Sequence, residues 1–178
     1  MANNDFPHGL NAVKMLNGGK IPMNQYIVAT TSAIYQGDIV CLRAAGKAAS
    51  LKTTGGAANI IGVAANYAAA SGNVWVYDSP NTIFEIQSDG ATDPGASTAQ
   101  AQIGNTGVLI IATGNTTTYR SKLELDYSSV TTGTADPLQI IGYWSGGAND
   151  YTLAHARYLV LLRMKHLWAT VPEAGNVI

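Results

Sequence analysis

Apolar and polar positions alternate with a period of two in this chain, in runs of four to six residues cut apart by turn formers. Residues 82–87 are the clearest run, with Phe84 and Ile86 set against Glu85 and Gln87. That is the pattern of a strand with one face buried, and it predicts a core-facing Phe84–Ile86 pair and a wet Glu85–Gln87 pair. Residues 123–127 repeat it, with Leu123, Leu125 and Tyr127 against Glu124 and Asp126. The run at 108–111 is apolar at every position, which places it centrally or at an interface. Read this way, strands are predicted at residues 26–30, 38–43, 60–65, 74–77, 82–87, 108–113, 122–127, 138–144 and 156–168. Between them lie Gly37, Gly46, Gly55, Gly56, Gly72, Asp78–Asn81, Asp89, Gly90, Gly114, Gly133, Gly146 and Gly147. Short strands at this spacing predict an all-β fold, a sandwich or small barrel of mostly antiparallel strands. One short helix is predicted near 94–103, with Asp93 as cap and Pro94 in the first turn.

Residues 1–25 have no such period. Asn3, Asn4, Pro7, Gly9, Asn17, Gly18, Gly19 and Pro22 punctuate them, yet Phe6, Leu10, Val13, Met15 and Leu16 are apolar in a way a solvated tail does not require. The expectation is an extended N-terminal arm, 1–25, that docks on its own domain or on a neighbour, followed by a single β domain, 26–178.

Composition changes this picture in one respect. Of 178 residues, 47% are apolar but only 12% charged, about half the usual share. A surface so poor in charge is either carried by Asn, Gln, Ser and Thr or covered in the working state, by copies of the chain or by a partner. Ten basic and eleven acidic residues give a net charge of −1 with no basic stripe, so nucleic acid is not an expected partner. No membrane-length apolar run and no signal peptide is visible, so synthesis in the cytosol is expected. Cys41, between Val40 and Leu42, reads as a small buried hydrophobe.

Catalytic patterns are missing from the sequence. His8, His155 and His166 lack the spacing of a metal helix motif, and His166 reads as a structural residue of the last strand. No nucleophile elbow or phosphate-cradling glycine loop occurs. Asp78, Asp89, Asp93 and Asp136 sit in turns, where the carboxylate commonly binds backbone N–H groups. A glycosidase pair of Glu85 and Asp126 is a remote alternative. No enzyme activity, cofactor or metal is expected.

Six segments, taken in order, resemble one group of proteins. Phe6-Pro7-His8-Gly9-Leu10-Asn11-Ala12-Val13 with Leu16-Asn17-Gly18-Gly19 resembles the "apolar-Pro-Phe-Gly-Leu-Arg-Pro-Val…Gly-Gly" opening of head proteins from tailed bacteriophages, with His8 in place of an aromatic and Asn11-Ala12 in place of Arg-Pro. Tyr26–Ala29 and Ala33–Val40 resemble their "aliphatic-Tyr-x-Gly-Asp-x-Val" motif. Ile60–Ala65, Asn73–Gly90, Ser121–Asp126 with Leu138–Gly142, and Tyr158–Leu167 follow in the same order, the last aligned on His166. The resemblance is to the decoration (cement) protein family. It implies a non-enzymatic virion protein on the outer capsid surface, bound to the major capsid protein and to itself, most often as a homotrimer, and stabilising the shell. On that reading the arm meets neighbours through Phe6, His8, Leu10, Met15 and Leu16. The alternative is another virion component, such as a fibre base or a carbohydrate-binding module using Trp144 and Tyr151.

Overall fold

The computed structural model describes residues 3–30, 33–43, 47–50, 60–90, 100–132, 136–146 and 149–163. Within them the chain is all-β, as the alternation predicts. Twelve strands are described: β1 (Asn11–Met15), β2 (Asn24–Ile27), β3 (Ile39–Leu42), β4 (Ala48–Ser50), β5 (Ile60–Ala64), β6 (Asn73–Tyr77), β7 (Thr82–Gln87), β8 (Thr106–Gly107), β9 (Leu109–Ile110), β10 (Glu124–Leu125), β11 (Leu138–Tyr143) and β12 (Arg157–Leu162). The predicted helix near 94–103 lies mostly outside the described residues. Its described end, Gln100–Gln102, is a single 3-10 turn with no buried residue, closed by Ile103 N–H donating to the Gln100 carbonyl at 3.2 Å. The end of the last predicted strand, with His166, also lies outside them.

Two five-stranded antiparallel sheets carry the fold. One has the order β2-β6-β5-β3-β4, the other β1-β7-β12-β11-β8, and β9 and β10 form a separate ribbon. The first sheet curls until its ends meet. Val28, just past β2, bridges Ala48 at the start of β4, and Ala29 N–H donates to the Ala48 carbonyl at 2.8 Å. Val28, Val40, Ala48, Ile61, Val74 and Val76 fill the inside of this curl together with Ile34 and Ala68. Its other face lies against the second sheet, which we call the outer sheet. There Ile39, Cys41, Ile60 and Val63 meet Phe84, Ile86, Leu138, Ile140, Tyr158 and Val160 in one core. Burying each of these larger side chains contributes roughly 1.5–3 kcal/mol.

β6 and β7 are joined by residues 78–81 but do not pair with one another. The turn carries the chain from the curled sheet into the outer one. Asp78 in that turn accepts from Asn24 Nδ2 at 2.7 Å and from Tyr26 Oη at 2.8 Å, which ties the crossing to β2. Burial, the Asp78 hydrogen bond and its charge push the Tyr26 phenol up to about 12.

Cys41 is buried in the core between the sheets, as its apolar flanks predict. Burial pushes its thiol up to about 11, with Arg43 opposing weakly. The native protein is therefore expected to resist alkylation by iodoacetamide at neutral pH and to react at once when denatured. Equal rates in both states would show that the core opens around Cys41.

Of the two docking places expected for the N-terminal arm, residues 3–16 take the chain's own domain, and β2 begins at Asn24, inside the bounds expected for the arm. β1 pairs antiparallel with β7, Asn11 opposite Glu85 and Met15 opposite Thr82, and forms the edge of the outer sheet. The physical reason lies in β7. Without β1 its edge N–H and C=O groups have no ladder, and without residues 3–11 its Glu85 keeps only Arg157 and its Gln87 only the His155 carbonyl.

Candidate functional site: the N-terminal strap and the outward face of the β2–β6 pair

β7 is buried along its whole length, including the face expected to be wet: Glu85 is 5% exposed and Gln87 1%. Residues 3–10 run across that face as a strap. Gln87 is saturated by it, its Nε2 donating to the Asn4 carbonyl at 2.6 Å and its Oε1 accepting from Phe6 N–H at 2.9 Å; Nε2 also donates to the His155 carbonyl at 3.1 Å. Glu85 Oε2 accepts from His8 Nε2 at 3.0 Å and from Asn11 Nδ2 at 3.2 Å, while Arg157 Nε stands 3.6 Å from Oε1. His8 Nδ1 donates to the Phe6 carbonyl at 2.8 Å. With both ring nitrogens facing acceptors, the imidazole needs both protons, so His8 is an imidazolium paired with a carboxylate. Burial works against the charge on His8, but the Glu85 hydrogen bond and charge, with the Phe6 carbonyl, outweigh it and raise the pKa. Burial likewise works against the Glu85 charge, and His8, Asn11 and Arg157 outweigh it and lower that pKa. The far end of the strap is fixed by Asn3, whose Nδ2 donates to the carbonyls of Asp150 at 2.7 Å and Ala154 at 2.9 Å, and whose Oδ1 accepts from Asp150 N–H at 2.8 Å.

The five expected contact residues of the arm therefore separate. His8 and Leu10 are buried within this chain, Leu10 in the core between the sheets, and neither is available to a neighbour. Met15 is half-buried on β1, its sulfur accepting from Thr82 Oγ1 at 3.5 Å. Only Phe6 and Leu16 face outward, 58% and 59% exposed. Glu85, the remote catalytic candidate, is committed to the strap.

Other apolar side chains also face outward. Ile27 and Trp75 are 57% and 45% exposed. Their register, Gln25 opposite Trp75 and Ile27 opposite Asn73, puts both on one face of the β2–β6 pair as diagonal neighbours. Met23, just before β2, is exposed too. Among the described strands β2 pairs only with β6, and the chain just past it meets Ala48 across the curl. The signal was present in the sequence as Trp75 at an outward alternation position, but nothing local distinguishes an outward tryptophan from a core one. Tyr67 lies between Tyr35 and Tyr119 in tilted contacts, with ring centroids 5.4 and 4.5 Å away, and Tyr119 is half exposed. Trp144 and Tyr151, expected as a sugar-stacking pair, have separate neighbours. Trp144 lies over Gly146, while Tyr151 is 5.0 Å from the Tyr143 ring.

One group of metal-ligating side chains comes together among the described residues: Asp5 of the strap, Glu124 of β10 and His155. Burial, then the charge of Asp5, raises the Glu124 pKa, with His155 opposing. No described helix is long and apolar enough to cross a membrane. Compared with known proteins, the chain matches no family model and no curated protein.

Proposed function

We propose that this chain is a non-enzymatic structural protein of a tailed-phage virion, which binds the outer surface of the capsid through the outward face of the β2–β6 pair and stabilises the shell. The observation that carries the reading is the exposed apolar pair of Ile27 and Trp75 on one face of β2 and β6, with Met23 exposed just before β2, on a chain with only 12% charged residues. Such a face is suited to docking against an apolar segment of a partner, with Trp75 as the aromatic anchor. The resemblance to decoration proteins supplies the partner, the major capsid protein, and a homotrimer as the associating form. Weak contacts repeated over a lattice then act together by avidity. Phe6 and Leu16, on the strap and just past β1, are the further outward contacts; the strap itself serves the chain's own sheet.

The test is co-sedimentation with shells assembled from the major capsid protein of the phage that encodes the chain. Saturable binding is expected, with shells that open at higher temperature. Trp75→Asp is expected to weaken binding about tenfold or more while leaving the melting temperature near wild type, because truncating an interface tryptophan commonly costs about 2 kcal/mol or more. Absence of binding to the shells, or binding unchanged in Trp75→Asp, Ile27→Asp and their combination, overturns the proposal.

A further inference from the structure

Asp5, Glu124 and His155 come from three separate parts of the chain: the strap, the β9–β10 ribbon and the loop leading into β12. Each offers one ligand atom, and the three atoms lie within 4.8 Å of one another. Three features of His155 set it apart from an ordinary surface histidine. Its backbone is in the left-handed region at φ 59°, which costs about 1–3 kcal/mol for a residue with a side chain. Its Nδ1 is shut off from solvent and makes no hydrogen bond, a state buried polar atoms rarely occupy. Its ring is seated against Gly90, itself at φ 75°, where a Cβ would stand 2.9 Å from Nδ1. The ring is thus held in a fitted cradle with its donor atom turned toward Asp5, whose Oδ1 is 3.8 Å away. That is too long for a hydrogen bond but short enough for one ion to touch both atoms at about 2.0–2.2 Å.

We propose that Asp5, Glu124 and His155 form a site for a first-row divalent transition-metal ion, which fastens the strap to the β9–β10 ribbon and the β12 loop. One imidazole nitrogen with two carboxylates is a donor set for zinc, manganese or cobalt, while calcium and magnesium take oxygen ligands. Three protein ligands leave the remaining coordination positions to water. Asp5 is exposed enough, at 63%, to close the last few tenths of an ångström without disturbing the fold. The ion would give the unpartnered Nδ1 its bond and offset the two carboxylates, which have the Asp89 charge nearby. It would hold the strap at Asp5, three residues before His8, so that residues 3–8 are fastened at a second point besides the His8–Glu85 pair.

The full chain, stripped with EDTA and dialysed, is titrated with Zn²⁺ and with Co²⁺ by calorimetry and visible absorption. One ion per chain is expected, with a rise in melting temperature and slower proteolysis ahead of residue 8. Asp5→Asn and His155→Asn, the second keeping a residue type that tolerates positive φ, are each expected to bind at least about tenfold more weakly. Asp5→Asn should melt with the metal-free wild type, which separates loss of the ion from loss of the fold. No saturable binding of either ion, or binding that survives in both variants, overturns the proposal.

Discussion

Glu85→Ala is expected to destabilise the protein by about 3–5 kcal/mol, because it leaves the His8 imidazolium and, beside it, the Arg157 guanidinium without their buried counter-charge. The double variant His8→Leu/Glu85→Leu should lose much less, since neither charge is then stranded. The pH dependence distinguishes this pair from simple loss of packing. His8 is raised above its ordinary 6.5, so its contribution is complete below 6.5 and is lost as pH rises through the folded value. Glu85 is lowered below its ordinary 4.5, so its contribution is complete above 4.5 and is lost as pH falls through the folded value. The stability gap between wild type and Glu85→Ala is therefore widest between pH 4.5 and 6.5 and narrows on both sides. Urea unfolding across the pH range measures it. A gap under about 1 kcal/mol inside that window, or one indifferent to pH, contradicts the pairing.

Gly62→Ala is the second large effect. β5 carries an extra residue opposite β3, Val40 facing Gly62 and Cys41 facing Ile60, so Ile61 bulges out of register. Gly62 takes φ 156° there, and a Cβ would fall onto the Tyr77 carbonyl oxygen and 2.8 Å from Val76 Cγ1. Both belong to β6, which is held to β5 by the Val63–Tyr77 and Ala64–Val76 pairs, so neither yields without opening the curl. Backbone strain of about 1–3 kcal/mol and overpacking of about 1–3 kcal/mol together put the loss at about 2–6 kcal/mol. Gly18→Ala is the control. Its added Cβ meets nothing, and only the left-handed backbone at φ 75° opposes it, at about 1–2 kcal/mol. Equal urea midpoints for the two variants would refute the crowding at Gly62.

The fold class was legible because alternation is a local signal. Residues 82–87 and 123–127 state their period within six residues, and the inward Phe84 and Ile86 sit in the core as read. What escaped was non-local. Glu85 and Gln87 look wet because nothing within the strand shows that Asn4, Phe6, His8 and Asn11 close over them from some 70–80 residues away. Asn3 and Asn4 read as loop punctuation and His8 as a contact to neighbours, although the His8 side chain and the strap's backbone groups are the partners a buried Glu and Gln require. β4 and β8 were missed for a simpler reason: three and two residues carry no period at all. Asp5, Glu124 and His155 share no sequence spacing, so only the folded chain brings them together.

The position of β1 also orders events during synthesis. The strands of the curled sheet span residues 24–77 and pair mostly with near neighbours, so that sheet can assemble while the chain is still emerging from the ribosome. Asn11, made long before, must wait for Glu85, 74 residues downstream, and β7 in turn gains its other flank only when β12 is made. At about 5–20 residues per second this leaves the strap unattached for seconds, with Phe6 and Leu10 in reach of any binding chaperone or sister chain. The segment translated before the curled sheet is among the last to find its place.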